Sequence, residues 1–150
     1  MRIRSIKPEF WRSDDIAALP ISARLLFIGL WSYVDDNGVG LDKLPAIAAD
    51  LFADDLSVDP TETLRRVAAD TTRLSEAGLI LRYKGGGKRL LFVTNWESHQ
   101  IVKNPSRGHL YPLPSAENLA SNKSLRRPSV DTTETLGKGA GEQDSRRGCG

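Results

Sequence analysis

Four basic side chains bracket a run of three glycines in the second half of the chain. Arg82 and Lys84 precede the glycines at positions 85–87, and Lys88 and Arg89 follow them, with no acidic residue between positions 77 and 96. Glycines let backbone N–H groups approach a phosphate closely, and flanking cations neutralise its charge. The pattern therefore predicts binding to a polyanion. The alternative is a solvated turn whose lysines protect a strand edge from aggregation.

A second set of candidate residues lies on a predicted helix over residues 60–77 and comprises Thr63, Arg65, Arg66, Thr72 and Arg73. Arginine pairs bidentately with guanine edges and with phosphates, which favours contact with a nucleic acid. The same spacing also fits weak ion pairs along a solvated helix face, because Glu62 and Asp70 lie three or four residues from Arg66 and Arg73. We expect no acidic partner for Arg65 or Thr63, so the alternative is weaker for them.

The remaining basic residues extend this pattern on both sides. Lys103 and Arg107 follow the glycine-rich segment, and the first residues of the chain form a possible basic arm made of Arg2, Arg4 and Lys7. Five bases oppose three acids in residues 1–34, four oppose ten in residues 35–76, and six oppose one in residues 77–111. An acidic middle between basic flanks can orient a protein on a polyanion.

Several other kinds of chemistry lack the residues they need. The glycine run is not followed by the Lys-Ser/Thr pair of a phosphate-binding loop. The two histidines, His99 and His109, have no spaced partners for a zinc site, and the single Cys149 permits no disulfide within the chain. We therefore expect no enzyme, no cofactor, no metal and no small-molecule substrate. No apolar run approaches the ~20 residues that cross a bilayer, and neither a membrane partner nor a secretory signal is expected.

The elements that position these residues can be predicted from caps and periodicity. Ser13 is expected to cap a short helix over residues 14–19, and Ser22 a longer one that ends near Val34. The longer helix is apolar on nearly every side, which is typical of a buried helix. Asp42 is expected to cap a helix over residues 43–52.

The second half of the predicted domain begins with a loop over residues 53–58. Asp59 followed by Pro60 is a strong start signal for the helix that ends before Gly78. Two β-prone runs then flank the glycines, which predicts a hairpin over residues 79–94. From residue 108 the chain is too polar to bury a core, and we expect disorder to residue 150.

Helix, short strand, helix, turn, helix and hairpin is the order of a winged helix-turn-helix, here between about Ser13 and Trp96. The predicted fold is therefore mainly α with a small β-hairpin. Residues 1–107 are assigned to this domain with its basic arm, and residues 108–150 to a disordered tail. In such domains the third helix enters the major groove and the hairpin lies along the DNA backbone. Four acids precede the third helix, at Asp50, Asp54, Asp55 and Asp59, so this surface is expected to tilt away from DNA or to meet a protein.

Four segments resemble a known group of proteins: IKPEFW at residues 6–11, ARLLFIGLW at residues 23–31, DDNGVG at residues 35–40 and VTNWESHQ at residues 93–100. Together they are similar to helix-turn-helix DNA-binding or replication-initiation (replisome-organiser) proteins of actinobacterial phages and prophages. The resemblance covers roughly residues 1–107. It implies an N-terminal winged helix, a role linked to DNA and the cytoplasm of a bacterial host. It supplies no catalytic residues, and the short polar tail of this chain differs from longer relatives.

The leading hypothesis is a protein that binds double-stranded DNA during the initiation of phage or prophage replication. A transcription regulator built on the same module is one alternative. Another is a winged helix that contacts other proteins, among them replication proteins or a second copy of the chain, instead of DNA.

Overall fold

The computed structural model describes residues 1–103 and 110–125, with side chains described as far as residue 121. These residues form a mainly helical fold with a small antiparallel sheet. The helices within them are α1 (Glu9–Arg12), α2 (Asp14–Ala17), α3 (Ile21–Tyr33), α4 (Leu44–Leu51), α5 (Ala53–Val58), α6 (Pro60–Glu76), α7 (Trp96–His99) and α8 (Ala116–Leu125). The strands are β1 (Val39–Leu41), β2 (Ile80–Gly85) and β3 (Lys88–Val93).

Helix α3 forms the centre of the core, but one side of it faces solvent. Phe27 and Leu30 are fully buried, and Trp31 is 1% exposed. Ile21 and Leu25, one turn apart, are 78% and 56% exposed. The prediction of burial on every side is therefore wrong along this stripe.

Helix α6 follows the sequence signals closely. The Asp59 carboxylate accepts a hydrogen bond from the Glu62 N–H at 3.1 Å, with Pro60 in the first turn. Gly78 has a φ of 74°, the left-handed conformation that terminates a helix. Both predicted helix signals are confirmed.

Four local predictions need correction, namely one loop and three helix caps. Residues 53–58 form helix α5 instead of a loop. No side-chain cap is found at the start of α2, α3 or α4. Asp42, expected to cap α4, instead pairs with Arg82 on the neighbouring hairpin. Helix α3 begins directly after Pro20, so Ser22 already lies inside it.

The sheet has the strand order β1-β3-β2, and both strand pairs are antiparallel. Gly85 pairs with Lys88, so Gly86 and Gly87 form a two-residue turn with φ values of 58° and 75°. Positive φ at both central positions is typical of the type I′ turn that matches the twist of a hairpin. The predicted hairpin is confirmed.

Both faces of the sheet are covered, because side chains alternate along each strand. Ile80, Leu91 and Val93 belong to the main core with the helices. Leu81, Tyr83 and Leu90 belong to a second cluster on the opposite face, together with Val39 and the partly buried Tyr111.

Residues 110–121 are ordered against this second cluster. The Tyr111 N–H donates to Asp35 Oδ2 at 3.0 Å, and the Tyr83 hydroxyl donates to the Pro112 carbonyl at 2.6 Å. Helix α8 follows and lies near β2. The prediction of disorder from residue 108 is thus corrected for residues 110–121, where a few aromatic and proline contacts replace a core. Residues 104–109 and 126–150, including Cys149, lie outside the described residues.

Among residues 1–103 and 110–125 there is no helix with the length and apolar character needed to span a membrane.

Candidate nucleic-acid interface

The end of the β2–β3 hairpin presents an exposed pair of like charges. Lys84 and Arg89 are direct cross-strand partners, and both are exposed. Opposite residues of an antiparallel pair project from the same face with Cβ atoms about 5 Å apart. Neither side chain forms an ion pair within the part of the chain that the structure describes. Two cations are thus held side by side without a carboxylate.

Lys88 lies on the opposite face of the hairpin, where it pairs with Gly85. Its Nζ atom is 6.0 Å from the centroid of the Tyr111 ring, which corresponds to a weak cation–π contact. An added Cβ at Gly87 would meet no atom within 4 Å, and one at Gly86 would meet only Pro112, at 3.7 Å. The turn is therefore uncovered and flanked by cations on both faces.

Arg82 differs from the other hairpin cations. Its Nε and Nη2 atoms donate to the two oxygens of Asp42, at 2.7 and 2.9 Å. The hydrogen bonds that Arg82 donates to Asp42 raise the pKa of Arg82. The hairpin segment contains no acid of its own, and the partner of Arg82 comes from the end of β1, 40 residues away in sequence.

The candidate cations of helix α6 are paired with acids of the same helix. Arg65 binds Glu62 through two hydrogen bonds of 2.8 and 2.6 Å, so the expectation that Arg65 lacks a partner is wrong. This hydrogen bond lowers the pKa of Glu62 and raises that of Arg65. Arg66 lies 3.8 Å from the same carboxylate, and Arg73 lies 2.6 Å from Asp70. The weak-ion-pair interpretation of this face therefore describes it well.

Two predictions about the exposure of α6 also need correction. Thr63 is 6% exposed, so its side chain has little surface with which to contact DNA. Asp70 was expected on the outer face but is 2% exposed. The helix packs against α3, α4 and α5, so its buried stripe is wider than the periodicity of its aliphatic residues indicates.

The N-terminal residues do not form a free arm. Arg4 is 9% exposed and donates to the Trp31 carbonyl at 2.8 Å and to Asp36 Oδ1 at 3.3 Å. It also donates to the carbonyls of residues 34 and 35 and lies over the Trp96 ring at 4.9 Å.

The neighbouring residues of this segment are also tied to the domain. Arg2 pairs with Asp36 at 3.1 Å, and Lys7 donates to the Ser98 carbonyl at 2.6 Å. Ser5 and Gln100 exchange two hydrogen bonds. The predicted arm is therefore part of the domain, because its cations meet carbonyls and a buried carboxylate.

The last basic candidates lie at the edge of the described chain. Lys103 is exposed, and Arg107 lies outside the described residues. Within residues 1–103 and 110–125, no group of three or more His, Cys, Asp or Glu side chains is placed to hold a metal ion.

Two features of this surface were missed by sequence reasoning. The first is the position of Lys84 opposite Arg89, which the two-residue turn at Gly86 and Gly87 fixes. This pairing could have been predicted from the sequence by assigning a two-residue turn to the central glycines. By contrast, the contact of Tyr111 with the hairpin joins segments that no local pattern connects.

Comparison of the chain with protein-family models, with curated proteins and with solved structures found no match.

Proposed function

We propose that the chain binds double-stranded DNA as a winged-helix protein. In this interpretation α3, α4 and α6 are the three helices, β1 is the short strand between the first two of them, and β2–β3 is the wing. Helix α6 is the third helix, which enters the major groove in such domains. The element order and the three-stranded sheet support this arrangement.

The observation that carries the proposal is the cross-strand pair of Lys84 and Arg89. Like charges directly opposite each other destabilise a hairpin, and neither Lys84 nor Arg89 forms an ion pair with a carboxylate of the described chain, because the nearby Asp42 is paired with Arg82. A phosphate between the two cations removes this repulsion and releases counterions. The basic wing therefore supplies the main contact with the DNA backbone.

In this proposal helix α6 contributes less than the wing to the electrostatic attraction for DNA phosphates. The three arginines on it share two carboxylates, with Arg65 and Arg66 at Glu62 and Arg73 at Asp70. An arginine that contacts phosphate must first give up its intramolecular partner, which reduces the net gain. The arginines of α6 therefore contribute to base contacts more than to the overall affinity.

The biological role that we propose is in the initiation of phage or prophage replication. This part rests on the resemblance of the four sequence segments at residues 6–11, 23–31, 35–40 and 93–100. Recovering the fragments of the host and phage genome that the protein binds tests it. Enrichment of a replication origin supports the role, and enrichment of promoters alone replaces it with transcriptional regulation.

The wing is tested by two double variants that each remove two positive charges. Lys84→Ala with Arg89→Ala is compared with Arg65→Ala with Arg66→Ala, and affinity for a random-sequence duplex is measured over a range of salt concentrations. Each lost phosphate contact reduces the slope of log affinity against log salt by about 0.9. We expect the wing variant to lower the slope by about 1.8 and the helix variant by less than half of that. Equal slopes for the wing variant and the wild type would refute the proposal.

A further inference from the structure

An apolar groove lies on a part of the molecule that the proposed wing contact does not use. It has a volume of about 150 Å³ and runs between α3, α6 and the junction of α4 and α5. Leu26 and Val67 line it and are buried, while Leu25 and Phe52 line it and remain partly or largely accessible. An apolar cavity of about this size takes up one benzene molecule. The groove therefore has room for one large apolar side chain.

The groove continues into the exposed stripe of α3. Leu25 is 56% exposed, and Ile21 lies one turn earlier on the same helix face and is 78% exposed. A helix face of this kind ordinarily carries polar residues. The apolar surface is thus larger than the groove alone and has no partner within the described residues.

The polar atoms of the groove select for a positively charged partner. Asp70 lines the groove, its side chain is 3% exposed, and Oδ1 accepts a hydrogen bond from Arg73. The other carboxylate oxygen has no hydrogen-bond donor among the described residues. That oxygen retains some contact with solvent, so a further donor can reach it, and a charged donor binds it most strongly.

The residues around the groove carry mostly negative charge, as Asp70 does. Asp55 lines it, and the exposed Asp50, Asp54 and Asp59 lie on or next to α4 and α5. Among the described residues Arg66 is the one cation that lines the groove, and it lies 3.8 Å from Glu62. Residues 44–76 carry seven acids and three bases, so the field around the groove is negative.

A second copy of the chain does not fit this surface well. Two copies that pair through the α3 stripe bring two acidic surfaces together, which costs energy. The basic wing has the right charge, but its turn consists of Gly86 and Gly87 and offers no large apolar side chain. The occupant must combine both properties.

We propose that this groove binds an amphipathic helix of another protein, with one large apolar residue inserted between α3 and α6 and a Lys or Arg beside it that reaches Asp70. Helices of this type bind grooves through apolar residues spaced three or four positions apart. The groove is separate from the wing, so backbone contact through the wing stays available when the groove is occupied, whereas Arg66 lines the groove and cannot then contact DNA bases.

The experiment uses the full chain labelled with ¹⁵N and three synthetic peptides of about 15 residues, long enough to form a helix on binding. One peptide contains leucine and arginine in an amphipathic helical pattern. The second has glutamate in place of arginine, and the third contains the residues of the first in scrambled order. Chemical shifts of the Leu25, Phe52 and Val67 amides report on the groove.

We expect saturable shifts at the groove with the leucine–arginine peptide. Leu25→Gln should weaken binding at least about tenfold, because a buried leucine contributes that much or more. Asp70→Asn should weaken it as well, in a variant whose native spectrum shows that it folds. Ile101→Gln is the matched control, because Ile101 is 76% exposed and lies outside the groove, and it should leave binding unchanged.

Three results would overturn the proposal. The first is the absence of saturable shifts at the groove, and the second is equal binding of the scrambled or the glutamate peptide, which shows no recognition of a basic amphipathic helix. The third is movement of the same amide signals with protein concentration alone, which identifies a second copy as the occupant. DNA binding through the wing is measured separately and does not depend on any of them.

Discussion

Arg4 gives the sharpest test of the corrected picture of the N-terminal segment. Its guanidinium group binds three carbonyl oxygens at the C-terminal end of α3 and the following turn, and it contacts the Asp36 carboxylate. Substitution by alanine removes all of these donors at once. A free DNA-binding arm would tolerate that change, whereas a structural contact would not.

The expected size of the effect follows from burial. The Asp36 side chain is 2% exposed and the Arg4 side chain 9% exposed. Removing one partner of a buried ion pair costs about 3 to 5 kcal/mol, because the other charge is left uncompensated. Arg2 remains 3.1 Å from the same carboxylate, so we expect Arg4→Ala to lower the free energy of unfolding by about 3 kcal/mol.

Arg2→Ala is the matched control. It removes a pair to the same carboxylate, but the Arg2 side chain is 48% exposed, so its loss should cost less than about 1 kcal/mol. Urea unfolding followed by tryptophan fluorescence and circular dichroism gives both values, provided that the slope of the free energy of unfolding against urea concentration is the same in the variants and the wild type. If Arg4→Ala is as stable as Arg2→Ala and instead weakens DNA binding, the N-terminal residues are an arm and the structural argument is wrong.

Three further predictions concern the glycines and the tyrosines. Gly38→Ala should destabilise the protein by about 3 kcal/mol, because φ is +83° and an added Cβ would lie 2.7 Å from the Trp96 ring. Gly87→Ala, at φ +75° and with no atom within 4 Å of the added Cβ, should cost about 1 kcal/mol in the same urea assay. Equal costs for the two variants would contradict this. Tyr83→Phe should increase amide hydrogen exchange in residues 110–121 and leave the helical core protected, because it removes the bond to Pro112; unchanged exchange would show that this bond does not hold the segment. Burial raises the pKa of Tyr33 and of Tyr83 to about 12 from 10.0, so the folded state favours the neutral phenols, and stability should be complete below pH 10 and decline as the pH rises towards 12. Tyrosinate absorbance of the native protein at pH 10 that is lost in Tyr33→Phe or in Tyr83→Phe would refute this.

The sequence was informative about several features that depend on neighbouring residues. Asp59 and Gly78 delimit α6 as expected, and the glycine run gives the hairpin. Two of the ion pairs on α6, from Arg66 to Glu62 and from Arg73 to Asp70, follow from helical spacing.

The errors about Arg4 and Arg82 arise because each of these charged residues finds its partner in a distant segment. Arg4 and Asp36 are 32 residues apart, and Arg82 and Asp42 are 40 apart. No periodicity in a single chain encodes such contacts, because they depend on how the strands and the N-terminal segment pack. A surplus of basic residues in a segment therefore indicates a binding surface only when those residues are not already paired with acids from other segments.

The pairing of Asp42 explains why a charged surface remains on the hairpin at all. The Asp42 N–H donates to the Arg89 carbonyl at 3.0 Å, so Asp42 continues β1 opposite Arg89. Arg82 instead reaches across β3 and engages both oxygens of that carboxylate. A bidentate pair satisfies the carboxylate more completely than a single bond does. Because Arg82 occupies the Asp42 carboxylate, Arg89 has no ion-pair partner among the described residues. Arg89 and its cross-strand neighbour Lys84 therefore remain a cationic pair that is available to an external anion.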